Sequence, residues 1–258
     1  MYINKEAPAP VVSVIMPAYN AEKFIEEAIS SVLAQSVSNW ELIVIDDGSQ
    51  DGTQQIVADF TRKDSRVRLI VNEENMGVAK SRNRGLDVCC GEYVALLDSD
   101  DYWEPQMLDR MIACAQETKA DIIYCSYAIV DEKRKKICND FIVPEETSFR
   151  KSMIRSVITC STVLLTKNIA KAHRFPTDIY HEDIALWFQL LRDGVVARGV
   201  TDVLAAYRQR GNSKTANKLK SACRRWVIYR KHLKLPIIQC IILLIQYGYY
   251  GVIKFKRI

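Results

Sequence analysis

Residues 92–103, Glu-Tyr-Val-Ala-Leu-Leu-Asp-Ser-Asp-Asp-Tyr-Trp, decide how the rest of the chain is read. An apolar run, Tyr93 to Leu97, ends abruptly in Asp98, Ser99, Asp100 and Asp101. Two unpaired carboxylates ~4 Å apart near a protein surface repel by about 4 kcal/mol, so a cation is expected among them. At the carboxyl end of a buried strand, Asp98 and Asp100 across a one-residue spacer can offer oxygen ligands to a divalent ion and its phosphates. A second reading fits the same letters, because Asp101 before Tyr-Trp-Glu-Pro also has the form of a helix start. The stretch alone leaves both open.

Upstream, the same unit recurs. Val11 to Met16 is a β-branched run stopped by Pro17, and Phe24, Ile25, Ala28, Ile29, Val32 and Leu33 then share one helical face. Trp40 to Ile45 repeats the strand, ends in Asp46-Asp47-Gly48-Ser49, and is followed by a helix from Asp51-Gly52-Thr53 through Phe60. Val67 to Val71 leads through Asn75-Met76-Gly77 into a helix carrying Lys80, Arg82, Asn83 and Arg84. Strands alternating with helices predict an α/β fold with a largely parallel sheet covered on both faces. Ligands of such sheets bind outside the carboxyl ends of the strands, where Tyr19-Asn20, Asp46-Asp47 and Asp98 to Asp101 would converge.

Downstream the pattern loosens. A helix is expected over 104–119, a hairpin from Asp121 to Val130 and back to Val143, and strands over 158–165, 195–198 and 203–207. His181-Glu182-Asp183 precedes Ile184, Trp187, Phe188 and Leu191, one face of a helix, so the acidic pair lies at a helix amino terminus. Taken without the other motifs, that pair is read first as simple capping and second as catalytic.

From Lys214 to Lys234 a basic helix interleaves cations, Lys218, Lys220, Arg224, Arg225, Arg230, Lys231 and Lys234 among them, with Leu219, Trp226, Ile228 and Tyr229, and 235–253 then carries no charge. About 20 apolar residues can span a bilayer. Cations flank both ends here, whereas spanning favours one side. An interfacial anchor in the membrane plane is the preferred reading, a spanning helix the second, and a helix docked on the protein the third.

The chain has 258 residues, 48% hydrophobic and 26% charged, enough for one substantial core and too apolar for disorder. A formal charge of +5 is too mild to imply nucleic acid. Eight cysteines show no C-x-x-C pair and no histidines at zinc spacing, which suits a reducing compartment. The amino terminus lacks the form of a signal peptide, so the body is expected in the cytoplasm.

Taken together, VSVIMPAYN (12–20), ELIVIDDGSQDGT (41–53), NMGVAKSRNRG (75–85), GEYVALLDSDD (91–101) and HEDIALWFQLLRDG (181–194) resemble the family 2 glycosyltransferases, inverting sugar-nucleotide transferases of the GT-A fold. The resemblance covers roughly residues 11–213. It implies a GT-A domain over 1–213, with 214–258 as a helical extension. It also implies that Pro17, Ala18 and Tyr19 wall the uracil ring and that Asp47 accepts the imide hydrogen. Asp98 is implied near ribose and metal, with Asp100 as direct ligand of Mn²⁺ or Mg²⁺. Lys80 and Arg82 lie where the family contacts the nucleotide, although an exposed basic helix face explains them equally well. Asp183 matches the general base, with Glu182 beside it.

Two departures stand out. Many relatives have a histidine where this chain has Arg210, which then either grips the diphosphate or marks a lost contact. Arg225-Trp226 lacks the glutamine of the processive synthases, so a single-addition enzyme is expected. The resemblance implies a UDP-sugar donor, best read as glucose with galactose or N-acetylhexosamine as alternatives. The expected acceptor is a lipid-linked saccharide such as GlcNAc-diphospho-undecaprenol, in O-antigen or surface polysaccharide synthesis at the cytoplasmic face of a bacterial inner membrane. A nucleotidylyltransferase would need a glycine-rich, arginine-bearing loop where Pro17-Ala18-Tyr19-Asn20 stands. A non-catalytic sugar-nucleotide sensor would tolerate Asp183→Asn.

Overall fold

The computed structural model describes residues 9–209 and 218–256. Its strands are β1 (Val12–Ala18), β2 (Trp40–Asp46), β3 (Val67–Val71), β4 (Tyr93–Leu96), β5 (Tyr102–Trp103), β6 (Ile122–Val130), β7 (Val163–Thr166) and β8 (Ala197–Arg208). They form one sheet in the order β3-β2-β1-β4-β7-β6-β8-β5. The pairs β1/β2, β2/β3, β1/β4 and β6/β8 are parallel, and β7 runs antiparallel to both of its neighbours. This is the α/β architecture of the GT-A fold, a mostly parallel sheet flanked by helices.

Every residue of β1, β2 and β4 is buried, as a parallel sheet covered on both faces requires. Helices α1 (Ile25–Leu33), α2 (Thr53–Lys63) and α3 (Val78–Val88) supply the cover. Helix α3 lies so close to the sheet that a Cβ added at Gly85 would overlap Ile15 of β1. That proximity fixes where Arg82, one turn earlier, emerges.

The second half corrects several expectations. Tyr102 and Trp103 do not open a helix; they form the edge strand β5, paired antiparallel with Ala206 and Ala205 of β8. Helix α4 (Met107–Thr118) begins three residues later than expected, past Pro105. Strand β6 is not half of an added hairpin but lies inside the sheet between β7 and β8, and its return segment makes only isolated bridges such as Tyr127 with Phe141. The expected strand over 158–165 shortens to β7, preceded by a 3-10 turn at Cys160–Thr162. The two strands expected over 195–207 are one, β8, whose polar middle is absorbed by a register irregularity opposite Cys125 and Ser126.

Helices α5 (Phe149–Ile154), α6 (Lys167–Ala172) and α7 (Glu182–Arg192) complete the body. Then α8 (Lys218–Val227), a π-helical turn (Ile228–His232) and α9 (Ile237–Lys256) follow. The extension is not loosely attached. Ile228, Tyr229, Leu233, Cys240 and Leu243 share a buried cluster with Met153 of α5 and with Ala185 and Phe188 of α7. The other side of α9 exposes Ile238, Ile241, Ile242, Ile245 and Tyr249, so the docked reading holds for one face only. Among the described residues, no helix is long and apolar enough to cross a membrane.

Candidate active site

The adjacent strands β2, β1 and β4 end together, which brings three polar loops to one rim. Pro17 and Ala18 close β1 as buried residues, and Tyr19 follows exposed beside them. Asn20, in the left-handed region at φ 47°, accepts from the Gln50 amide (2.8 Å), while its own amide donates to Ser49 Oγ (3.0 Å). Ala21 donates to Thr53 Oγ1 at 2.8 Å. The first two loops are therefore tied together by side chain to backbone bonds.

Asp47 is buried, and its carboxylate accepts from Asn72 Nδ2 (2.7 Å), Met76 N (3.0 Å) and Gly77 N (2.8 Å). It thus holds the turn that opens α3. A carboxylate offers about four acceptor positions, so this bonding leaves room for one further donor such as a base edge.

The loop after β4 is held from both sides by buried arginines. On one side, Arg82 of α3 donates from Nη2 to Asp98 Oδ1 and from Nη1 to Glu182 Oε1, both at 2.7 Å, with its guanidinium 5.3 Å from the Phe175 ring. On the other side, Arg208 at the end of β8 donates from Nε to the Asp100 carbonyl (2.7 Å) and from its backbone amide to Asp101 Oδ1 (2.8 Å). Its Nη2 pairs with Glu27 of α1, and its guanidinium packs over Phe24. Asp101 also accepts from Ser161 Oγ at 2.5 Å. Burial pushes the Asp101 carboxyl well above the usual carboxylate range, and the charges of Asp100 and Asp98 push the same way. Asp101 is therefore a structural member of the acidic run, whereas the partly accessible Asp98 and Asp100 face the rim.

Glu182 and Asp183 open α7, where the helix dipole favours negative charge. The preceding His181 takes φ 65°, a left-handed turn where the chain enters the helix. Burial pushes Asp183 up to about 6, and Glu182 adds to that; the Arg82 charge and the Ile184 amide pull it back. A carboxylate poised there is ionised at neutral pH and basic enough to take a proton.

The structure thus brings Arg82, Asp98 and Glu182 together, with Asp183 next in the chain. Lys80 stands exposed on α3, and Arg210 lies outside the described residues. Arg208, Ser161 and Glu27 were not singled out by the sequence reading. The available signal was a charged residue, Arg208, closing the apolar run Val203 to Tyr207.

Among the described residues, no three His, Cys, Asp or Glu side chains assemble to hold an ion by themselves. A nucleotide-bound Mg²⁺ or Mn²⁺ needs only one or two carboxylates, with phosphate oxygens and water completing its shell. Asp98 and Asp100 supply that donor set, so the residues present fit the ion.

The Glycosyl transferase family 2 profile matches residues 13–162, more than half of the chain. The chain belongs to glycosyltransferase family 2. Two *Escherichia coli* relatives of this family 2 enzyme, WfgD and WfaP, are both described as UDP-Glc:alpha-D-GlcNAc-diphosphoundecaprenol beta-1,3-glucosyltransferases. WfgD is 34% identical over 95% of this chain and 94% of its own length, and WfaP 36% identical over 95% of each. Among solved structures, *S. aureus* TarS with UDP-GlcNAc superposes with a TM-score of 0.71 at 22% identity, over 92% of this chain and 71% of TarS. That likeness speaks for the fold. The family 2 enzyme is accordingly a hexosyltransferase.

Proposed function

We propose that this enzyme transfers glucose from UDP-glucose to a GlcNAc-diphospho-lipid of the undecaprenol type, forming a β-linkage with inversion. The observation that carries the reading is Asp183, a carboxylate raised to about 6 and joined through Glu182 and Arg82 to the acidic loop after β4. The activity named for WfgD and WfaP supports the choice of donor and acceptor.

In this reading Pro17, Ala18 and Tyr19 form the wall for the uracil, and Asp47 accepts its imide hydrogen. Lys80 and, from outside the described residues, Arg210 contribute positive charge for the diphosphate, while Arg82 acts by orienting Asp98. Asp98 and Asp100 would hold a divalent ion, which would supply charge neutralisation for the leaving diphosphate. Asp183 removes the proton of the acceptor hydroxyl as that oxygen bonds to the anomeric carbon, and the bond to UDP breaks on the opposite face. A single carboxylate base suffices, so an α-linked donor gives a β-glycoside.

Residues 1–213 then form the catalytic domain and 214–258 an extension that rests on an anionic bilayer. The exposed apolar stripe of α9, with Lys231 and Lys234 exposed just before it, supports that contact. The enzyme would work as a peripheral protein at the cytoplasmic face of the inner membrane.

The test is UDP release from a panel of UDP-sugars, with and without Mn²⁺, on a synthetic GlcNAc-diphospho-lipid, alongside Asp183→Asn. Turnover with UDP-glucose that Asp183→Asn abolishes, while UDP binding persists, is the expected result. Turnover with UDP-galactose or a UDP-N-acetylhexosamine alone would replace the donor. Binding without turnover on any donor would overturn the acceptor.

A further inference from the structure

Helix α8 of the extension brings a cation to the loop that precedes Asp183. Arg224 of α8 stacks its guanidinium 3.4 Å from the centroid of the Tyr180 ring, and Tyr180 in turn meets His181 edge-on at 5.1 Å. Asp183 follows three residues after Tyr180, a separation of at most ~11 Å along the chain. The neighbouring Arg225 has a different position: it is buried, donates to Ser156 Oγ (3.0 Å) and lies against Phe188 and Tyr247. Of two adjacent arginines, one staples the extension to the body and the other is carried to the loop that leads into the base.

We propose that Arg224, held on the Tyr180 ring, binds the diphosphate of the lipid-linked acceptor. The inference rests on the acceptor class proposed above. Such an acceptor carries its diphosphate on the same sugar whose hydroxyl Asp183 deprotonates, so the phosphates must come within about one sugar ring of that carboxylate. Glu182 and Asp183 repel them there, and a cation has to offset that repulsion. Stacking engages the flat face of the guanidinium, while its N–H donors lie in the plane, the geometry that grips phosphate oxygens in pairs.

The experiment compares kcat/KM on two acceptors with one alkyl chain, a GlcNAc-diphospho-lipid and the matching uncharged GlcNAc glycoside, using full-length enzyme in detergent. Wild type should prefer the diphosphate acceptor. In Arg224→Ala that preference should fall about 10- to 100-fold, the worth of a charge-assisted hydrogen-bonded contact, mainly through the acceptor KM. Arg224→Lys should restore part of it, and Tyr180→Phe, which keeps the ring, should retain it. An equal loss on both acceptors would make Arg224 merely structural and overturn the proposal. No preference in wild type would also overturn it, with the transfer reaction left standing. If wild type turned over neither acceptor, the acceptor reading itself would fall and this inference with it.

Discussion

The half proposed to bind the donor and the half proposed to bind the acceptor are positioned by different means. In the first, short loops between parallel strands are tied by side chains bonding to backbone, as with Asp47 on Met76 and Gly77 or Thr53 on Ala21. In the other half, the proposed base rides on α7, which is set by aromatic packing: Phe175 against Trp187, and Phe188 stacked on Tyr229 of the extension at 6.2 Å. Arg82 is the seam, joining Asp98 to a glutamate 100 positions away. The proposed nucleotide site is thus assembled from local turns, whereas the proposed acceptor site depends on contacts contributed by the far end of the chain.

The comparison breaks most visibly at the base. Asp183→Asn should lower kcat by about 10²- to 10⁴-fold while leaving UDP affinity intact by calorimetry; lost UDP binding would mean that the halves are not separable. Asp100→Ala should do the converse, abolishing metal-dependent UDP binding and lowering kcat/KM by about 10²- to 10³-fold. Arg208→Ala removes the buried guanidinium that bonds Glu27 and the Asp100 carbonyl, while the backbone bond to Asp101 remains. It should destabilise the fold by about 3 kcal/mol in denaturant titrations.

A pH profile sharpens the seam. Asp183 must be ionised to accept a proton and its pKa is raised to about 6, so kcat/KM should be full above about pH 7. It should be half-maximal near 6 and fall about tenfold per unit below. Arg82→Gln removes a charge that lowers this value and should move the midpoint upward. The smallest effect belongs to the exposed apolar stripe of α9: Ile245→Ala, at a side chain 67% exposed, should weaken binding to anionic vesicles by roughly three- to tenfold.

The unequal construction also governs how much could be read from the letters. Strands buried on both faces are continuous apolar runs, and their polar ends are the site, so β1 to β4 and the Asp98 to Asp101 loop were legible. Asp101 misled because an aspartate before Tyr-Trp-Glu-Pro has the form of a cap, while its oxygens serve Ser161 and Arg208, 60 and 107 positions away. Likewise Gly199 to Asp202 looks like a turn between strands, and only pairing with β6 shows that β8 passes through it. The Arg82 bridge and the Arg224 stack leave no local pattern, because each partner is ordinary in its own neighbourhood.

The core shared by α5, α7 and the extension changes what a truncation can teach. Cutting the chain at residue 235 would remove the exposed isoleucines of α9. It would also strip Cys240 and Leu243 from the cluster around Phe188 and Ala185, on the same helix that carries Asp183. A dead truncated enzyme would therefore be as much a core mutant as an unanchored one, and only substitutions confined to the outer face of α9 separate anchoring from alignment of the base.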